Sequence, residues 1–321
     1  MRLGRRWQIP VRHRPALSLP GPLPDGRPAA EGLIPMAKPD FLVIGAQKAG
    51  TTWLYRNLQN HPEVWLPPIK EIHYFDRRMQ PLILDALGHR RQRSMLWRWL
   101  RPGLQNVARD PQSLKWHARF FLQPRSDTWY QSCFAGLDGM LNGDITPAYA
   151  RLGDQSVKNV ARLLPQAKVI YILRDPVERL WSQAAMYFSR YGYASLEDQS
   201  DAEIERFLAW DLARANGTYI ANIDRWRAHF PPQQVHIAFF DQLVSDPQAF
   251  LTEMCGFLGV SPPEPDKSLT QKIHARSYHA IPDHHQAKLS SEYLPELRAL
   301  DRRFGNAHTG SWLKRAQLSV G

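Results

Sequence analysis

The chain has 321 residues, 43% of them hydrophobic, enough for one large domain or two small ones. Its two cysteines, Cys133 and Cys255, give neither a disulfide framework nor a zinc-ligand spacing, which excludes a disulfide-stapled scaffold and points to a reducing compartment. The formal net charge of +11 is uneven: residues 1–38 carry seven basic and two acidic residues, residues 77–127 carry eleven and three, and the remainder is close to neutral.

Such segments suit an anionic partner, or else form a solvated face and a tail. No apolar run approaches the ~18 residues that cross a bilayer. Residues 1–38 are rich in Arg, Pro and Gly, lack the apolar core of a signal peptide and read as a disordered basic arm. Met36 stands directly before the first strand and is an alternative start codon.

"FLVIG" (41–45) reads as a buried strand, followed by a helix from about Thr51 to Asn60 that His61-Pro62 ends. "EVWL" (63–66) is a second strand and "GMLNGDI" (139–145) a third. Asp154 is expected to cap a helix that stops at Pro165. "KVIYILRD" (168–175) is the clearest strand, with a helix over 176–190. Residues 217–230 have helical spacing, "VHIAFFD" (235–241) reads as a strand, and 247–259 as a helix closed by Gly259. Apolar strands alternating with helices indicate an α/β fold, a parallel sheet covered on both faces. Ligands in such sheets bind beyond the C-terminal strand ends, here just after Ile44, Leu66 and Leu173. Residues 77–127 interrupt the rhythm with arginines around Leu96, Trp97, Trp99 and Leu100. They read as a basic helical insert capping the main domain, with an interfacial, lipid-contacting helix as the alternative.

Gly45 and Gly50 bracket a loop between strand and helix, where backbone N–H groups and the helix dipole hold an anion. Nucleoside-triphosphate loops place lysine after the second glycine. Here Thr51 and Thr52 follow Gly50, and Lys48 sits mid-loop beside Ala49, where its ammonium suits the terminal group of a shorter anionic chain. A second motif, "KVIYILRDPVERLWSQ", presents Arg174 at a strand end and Ser182 in the next helix, a pairing able to bind a second phosphate. The plainer alternative pairs Arg174 with Asp175.

"IGAQKAGTTWL", "KEIHYFD", "GDITPAY" and "ILRDPVERLWS" occur in that order. Together they resemble the sulfotransferases that use 3′-phosphoadenosine 5′-phosphosulfate (PAPS), above all the heparan-sulfate branch, over residues 40–76 and 128–313. The resemblance implies a P-loop-like sheet flanked by helices, one sulfotransferase domain over 39–321, and sulfuryl transfer from PAPS to a hydroxyl or amine. It implies that Lys48, Ala49, Gly50, Thr51 and Thr52 hold the 5′-phosphosulfate and that Arg174 and Ser182 grip the 3′-phosphate. Trp53 matches an adenine-stacking position, with plain helix packing as the alternative. Glu71 matches the catalytic base, a role that fits the need of a neutral hydroxyl for a proton acceptor. His73 is a secondary catalytic candidate or a structural group.

"KIHARSYHAIP" (272–282) resembles the segment that closes over the nucleotide, with Lys272 and Arg276 aligned and His274 and Ala275 departing. Ile145 replaces a lysine near the acceptor, which argues against a glycosaminoglycan. His279, His284 and His285 read as loop residues with no metal site, because no carboxylate or cysteine pattern accompanies them. The implied partner is a small-molecule or glycan acceptor, anionic or membrane-associated, and not a nucleic acid. A bacterial, cytoplasmic enzyme, able to work peripherally at the inner membrane surface, is the expected setting. The alternatives are a P-loop kinase with Asp241 as its magnesium-holding acid, and a non-catalytic anion-binding module.

Overall fold

The computed structural model describes residues 37–76, 111–134, 139–190, 195–262, 264 and 280–320. Two compact units divide the chain. The described part of the smaller is 111–134; the larger holds the other described residues.

The larger unit is built on five strands: β1 (Phe41–Gly45), β2 (Val64–Trp65), β3 (Leu141–Ile145), β4 (Lys168–Leu173) and β5 (Val235–Phe239). Their order is β2-β3-β1-β4-β5, and every neighbouring pair runs parallel. β1 is buried along its whole length, as its unbroken apolar run requires of a strand covered on both faces. Gly143 in β3 sits opposite Phe41, and a Cβ there would lie 2.1 Å from the Phe41 ring, so only glycine lets the two strands pair around that aromatic. β1 and β4 are neighbours, and the chain leaves them toward opposite sides of the sheet. That switch point puts the loops after β1 and β4 side by side.

Helices alternate with these strands. α1 (Thr51–Gln59) follows β1; in the smaller unit lie α2 (Pro111–Leu122) and α3 (Asp127–Ser132); α4 (Asp154–Leu163) precedes β4 and α5 (Pro176–Arg190) follows it. Then come α6 (Asp201–Leu208), α7 (Asp211–Arg214), α8 (Tyr219–Arg227), α9 (Phe240–Ser245) and α10 (Pro247–Leu258), and the chain closes with α11 (Asp283–Phe304) and α12 (Ala307–Val320). Gly259 caps α10 in the left-handed conformation with φ 84°, as expected. Trp312 of α12 is fully buried and meets Phe239 of β5 at 5.8 Å, which seats the C-terminal helices against the sheet. Burying a side chain of this size contributes roughly 2–3 kcal/mol.

Within the smaller unit, Trp116 stacks on Phe120 at 4.9 Å and its indole N–H donates to the Cys133 carbonyl. The insert's arginine- and tryptophan-rich part, 77–110, and the arm, 1–36, lie outside the described residues. Among the described residues no helix is long and apolar enough to cross a membrane.

Three local expectations change. Asp154 does not cap its helix: Gly153 does, without a side-chain bond, because the Asp154 carboxylate pairs with His229 at 2.7 Å. The strand expected over 235–241 ends at Phe239, where Phe240 and Asp241 open α9 and the Gln242 side chain folds back to the Phe239 N–H. His284 and His285 are helical, in the first turn of α11. The alternative Arg174–Asp175 pair does not form: Arg174 bonds Lys48 and Glu178, and Asp175 bonds Arg315.

Candidate active site

The loop from Gly45 to Gly50 leads β1 into α1. Gly50 is the N-cap residue, with φ 84°, and offers no side chain to the first-turn N–H groups of α1. Its positive φ favours glycine, and a Cβ there would also lie 2.4 Å from the Leu243 methyl Cδ2, which would have to move aside. No acidic residue occupies the first turn of α1, so the positive end of its dipole is left for an anion. Lys48 also takes a positive φ, 75°. Ala49 and Thr51 are buried and brace the loop. Trp53 is buried too, edge-on to Phe250 at 6.0 Å, and so holds α1 against α10.

Arg174, at the end of β4, reaches across the switch point. Its Nη1 donates to the Lys48 carbonyl at 3.1 Å and its Nη2 to Glu178 at 3.2 Å, while the guanidinium lies 4.9 Å above the Phe240 ring. Asp175 faces elsewhere: its Oδ1 accepts from the Val177 N–H and starts α5, and its Oδ2 accepts from Arg315 at 3.0 Å. Burial, then the nearby Glu178 carboxylate, push its pKa up to about 6 against the pull of Arg315. Ser182 is buried on α5, and its Oγ and the Arg174 Nε have no hydrogen-bond partner among the described residues. Buried donors in that state call for an explanation.

The segment after β2 carries a cluster of titratable groups. Glu71 and His73 both take positive φ, 68° and 55°. Lys70 donates to Glu71 Oε1 at 2.6 Å, His73 Nε2 lies 3.3 Å from Glu71 Oε2, and His73 Nδ1 lies 2.9 Å from Asp76 Oδ2. Burial works to raise the Glu71 pKa, but Lys70 and His73 outweigh it and hold the carboxyl well below the usual range. For His73, burial opposes the charge while Asp76 and Glu71 raise the pKa above its ordinary value. Asp76 was not singled out from sequence; a carboxylate three residues after His73 was the signal available.

"GDITPAY" anchors this segment. Asp144, almost wholly buried, accepts from Thr146 Oγ1 at 2.7 Å and from Tyr149 OH at 3.1 Å, and Tyr149 OH in turn accepts from the Tyr74 N–H at 2.9 Å. One buried phenol therefore fixes the backbone between Glu71 and Asp76 to the end of β3. Burial, then the Asp144 and Asp76 carboxylates, raise its pKa well above the ordinary tyrosine value, so it stays a neutral donor. Ile145 is buried at the end of β3. Asp241 accepts from the Trp312 indole at 3.1 Å. Lys272, Arg276 and His279 lie outside the described residues.

A model of the sulfotransferase family matches residues 39–264. The human bifunctional heparan sulfate N-deacetylase/N-sulfotransferase 3 is 29% identical over 242 residues, covering 70% of this chain and 22% of that protein. The mouse heparan sulfate glucosamine 3-O-sulfotransferase 6 is 24% identical over 288 residues, covering 81% of this chain and 68% of the relative. The chain thus spans about a fifth of the length of the bifunctional relative. In fold, a sulfotransferase from Alicyclobacillus acidocaldarius superimposes with a TM-score of 0.57 at 24% identity, covering 86% of this chain and 99% of that one. With well over half of its length matched by the family model, the chain belongs to the sulfotransferase family.

Proposed function

We propose that the protein transfers a sulfuryl group from PAPS to a hydroxyl or amine of a carbohydrate, glycolipid or secondary metabolite. The observation that carries this reading is the bond from Arg174 to the Lys48 carbonyl, which makes one site of the two anion loops. Around it stand polar groups that fit two phosphate-like anions: the uncapped start of α1, Arg174 Nε and the buried Ser182 Oγ. PAPS supplies the sulfuryl group and a phosphate leaving group. Lys48 neutralises charge that develops on that leaving side, and Thr51 and Thr52 orient the anion at the helix start. Glu71 accepts the acceptor's proton, with His73 and Asp76 holding its carboxylate in place. Lys272 and Arg276 would close over the nucleotide.

The heparan sulfate relatives are named for glycan acceptors, which supports a glycan here. The buried Ile145 offers an acidic sugar no cation and favours a less charged acceptor. The two cysteines are free and buried, which suits a reducing, cytoplasmic setting. The test is incubation with radiolabelled PAPS and an acceptor panel, beside ATP with Mg²⁺. Label transfer from PAPS supports the reading; phosphorylation from ATP alone would replace it with a kinase.

A further inference from the structure

Asp201 is the first residue of α6, and His284 and His285 lie in the first turn of α11. The two helices bring these three side chains to one point, although Asp201 and His285 are 84 residues apart in the chain. Asp201 Oδ1 lies 3.2 Å from His285 Nε2 and 3.4 Å from His284 Nε2. One ligand atom from each residue falls within 4.8 Å of the other two. The His285 separation lies at the long edge of the ~2.7–3.2 Å range of N–H···O hydrogen bonds and the His284 separation beyond it. Zinc bonds of about 2.0–2.1 Å at a tetrahedral angle put neighbouring donor atoms roughly 3.3 Å apart. Both Asp201 separations also match those of donors that share one such ion.

The ligands are also held in position. The His285 side chain is wholly buried, 5.5 Å from the Trp181 ring, and its neighbour His284 packs on it with ring centroids 4.0 Å apart. Its Nδ1 has no hydrogen-bond partner, so the Asp201 carboxylate is its polar contact among the described residues. Asp201 and His284 are 74% and 59% exposed, which leaves the remaining coordination positions to water. One helical turn beyond the trio, Lys288 of α11 binds Glu205 of α6 at 3.0 Å and clamps the same helices together. Two imidazoles with one carboxylate suit a borderline divalent transition ion, whereas Mg²⁺ and Ca²⁺ take oxygen ligands.

We infer that Asp201, His284 and His285 form a binding site for a divalent transition-metal ion of the zinc class, clipping α6 to the start of α11. The test is titration of tag-free, chelator-treated protein with Co²⁺. One equivalent should bind with the intense visible bands of low-coordinate cobalt, and Zn²⁺ should displace it. The melting temperature should climb with added Zn²⁺, because an ion held only by the native state stabilises it by mass action. Asp201→Asn and His284→Ala alter exposed side chains that the fold tolerates. Each should weaken Co²⁺ binding by at least the ~10–100-fold that loss of a supporting outer-shell group costs, with circular dichroism unchanged. Wild-type protein without those bands, or an Asp201→Asn/His284→Ala double variant that binds Co²⁺ as tightly as wild type, would overturn the site and leave a hydrogen-bonded corner.

Discussion

After β2, the segment from Lys70 to Asp76 closes its charges on itself: Lys70 meets Glu71, Glu71 meets His73, and His73 meets Asp76. After β1 and β4, the loops do the opposite. α1 begins without a side-chain cap, and Arg174 Nε and Ser182 Oγ are buried without hydrogen-bond partners among the described residues. A buried, unpaired polar group costs about 1–3 kcal/mol, and an anion that fills the site removes that cost. The charged groups of the first segment thus pair with one another, while in the proposed reading the loops after β1 and β4 are completed by the bound nucleotide. Changes in the first region should therefore alter turnover and its pH dependence, and changes in the second should alter nucleotide affinity.

The largest effect should come from Glu71. Glutamine keeps its shape but cannot take a proton, so Glu71→Gln should lower single-turnover transfer by about 10²–10⁴-fold. Affinity for the desulfated product PAP should stay within about threefold, since the base faces the acceptor. A variant that keeps most of its single-turnover rate would move the role to His73.

Arg174→Ala should weaken PAP binding by about 10- to 150-fold, the equivalent of losing a charge-assisted bond of roughly 1.5–3 kcal/mol. Adenosine 5′-phosphosulfate, which lacks the 3′-phosphate, should lose far less. Calorimetry with both ligands separates the cases, and equal losses would remove Arg174 from the 3′-phosphate.

Lys70 tests the closed region through pH. Its ammonium helps hold the Glu71 pKa low, so the basic carboxylate persists into acid. Removing that cation raises the Glu71 pKa, and the base form is then lost at a higher pH. Lys70→Met should move the acid limb of kcat/KM upward by at least about one pH unit, which corresponds to 1.36 kcal/mol. An unmoved limb would show that the Lys70–Glu71 contact does not set the base.

Ser182→Ala should have the smallest effect and the sharpest contrast. Its Oγ has no hydrogen-bond partner to lose among the described residues, so the melting temperature should hold or rise. PAP affinity should fall about 2- to 12-fold, the span of a net hydrogen bond of ~0.5–1.5 kcal/mol. A destabilised protein with unchanged affinity would make Ser182 part of the packing instead.

The strands and helices around the site were legible because their signals are local. β1 and β4 are unbroken apolar runs, and Gly45 and Gly50 bracket the turn between β1 and α1. The stretch holding α6 and α7 and the C-terminal pair α11 and α12 were not read. Polar residues dominate much of these helices, and α11 carries Pro295 in its interior, which weakens the local pattern. That omission turned His284 and His285 into loop residues and hid the carboxylate that faces them, because Asp201 lies on another helix.

From sequence alone came the alternation of strand and helix, the anion loop with its displaced lysine, and the order of motifs that marks the family. Those features depend on residues a few positions apart, whose spacing fixes which face is buried and which backbone conformation is allowed. Tertiary structure decided the partners. It turned Arg174 toward the Lys48 carbonyl and Asp175 toward Arg315, joined Tyr149 to Asp144 and Tyr74, and set Asp201 against two histidines. These contacts follow from the sheet order and from helix docking, which bring together side chains as far as 140 positions apart. No local period encodes a separation of that length, so the chemistry of each pairing appears only once the strands have taken their places.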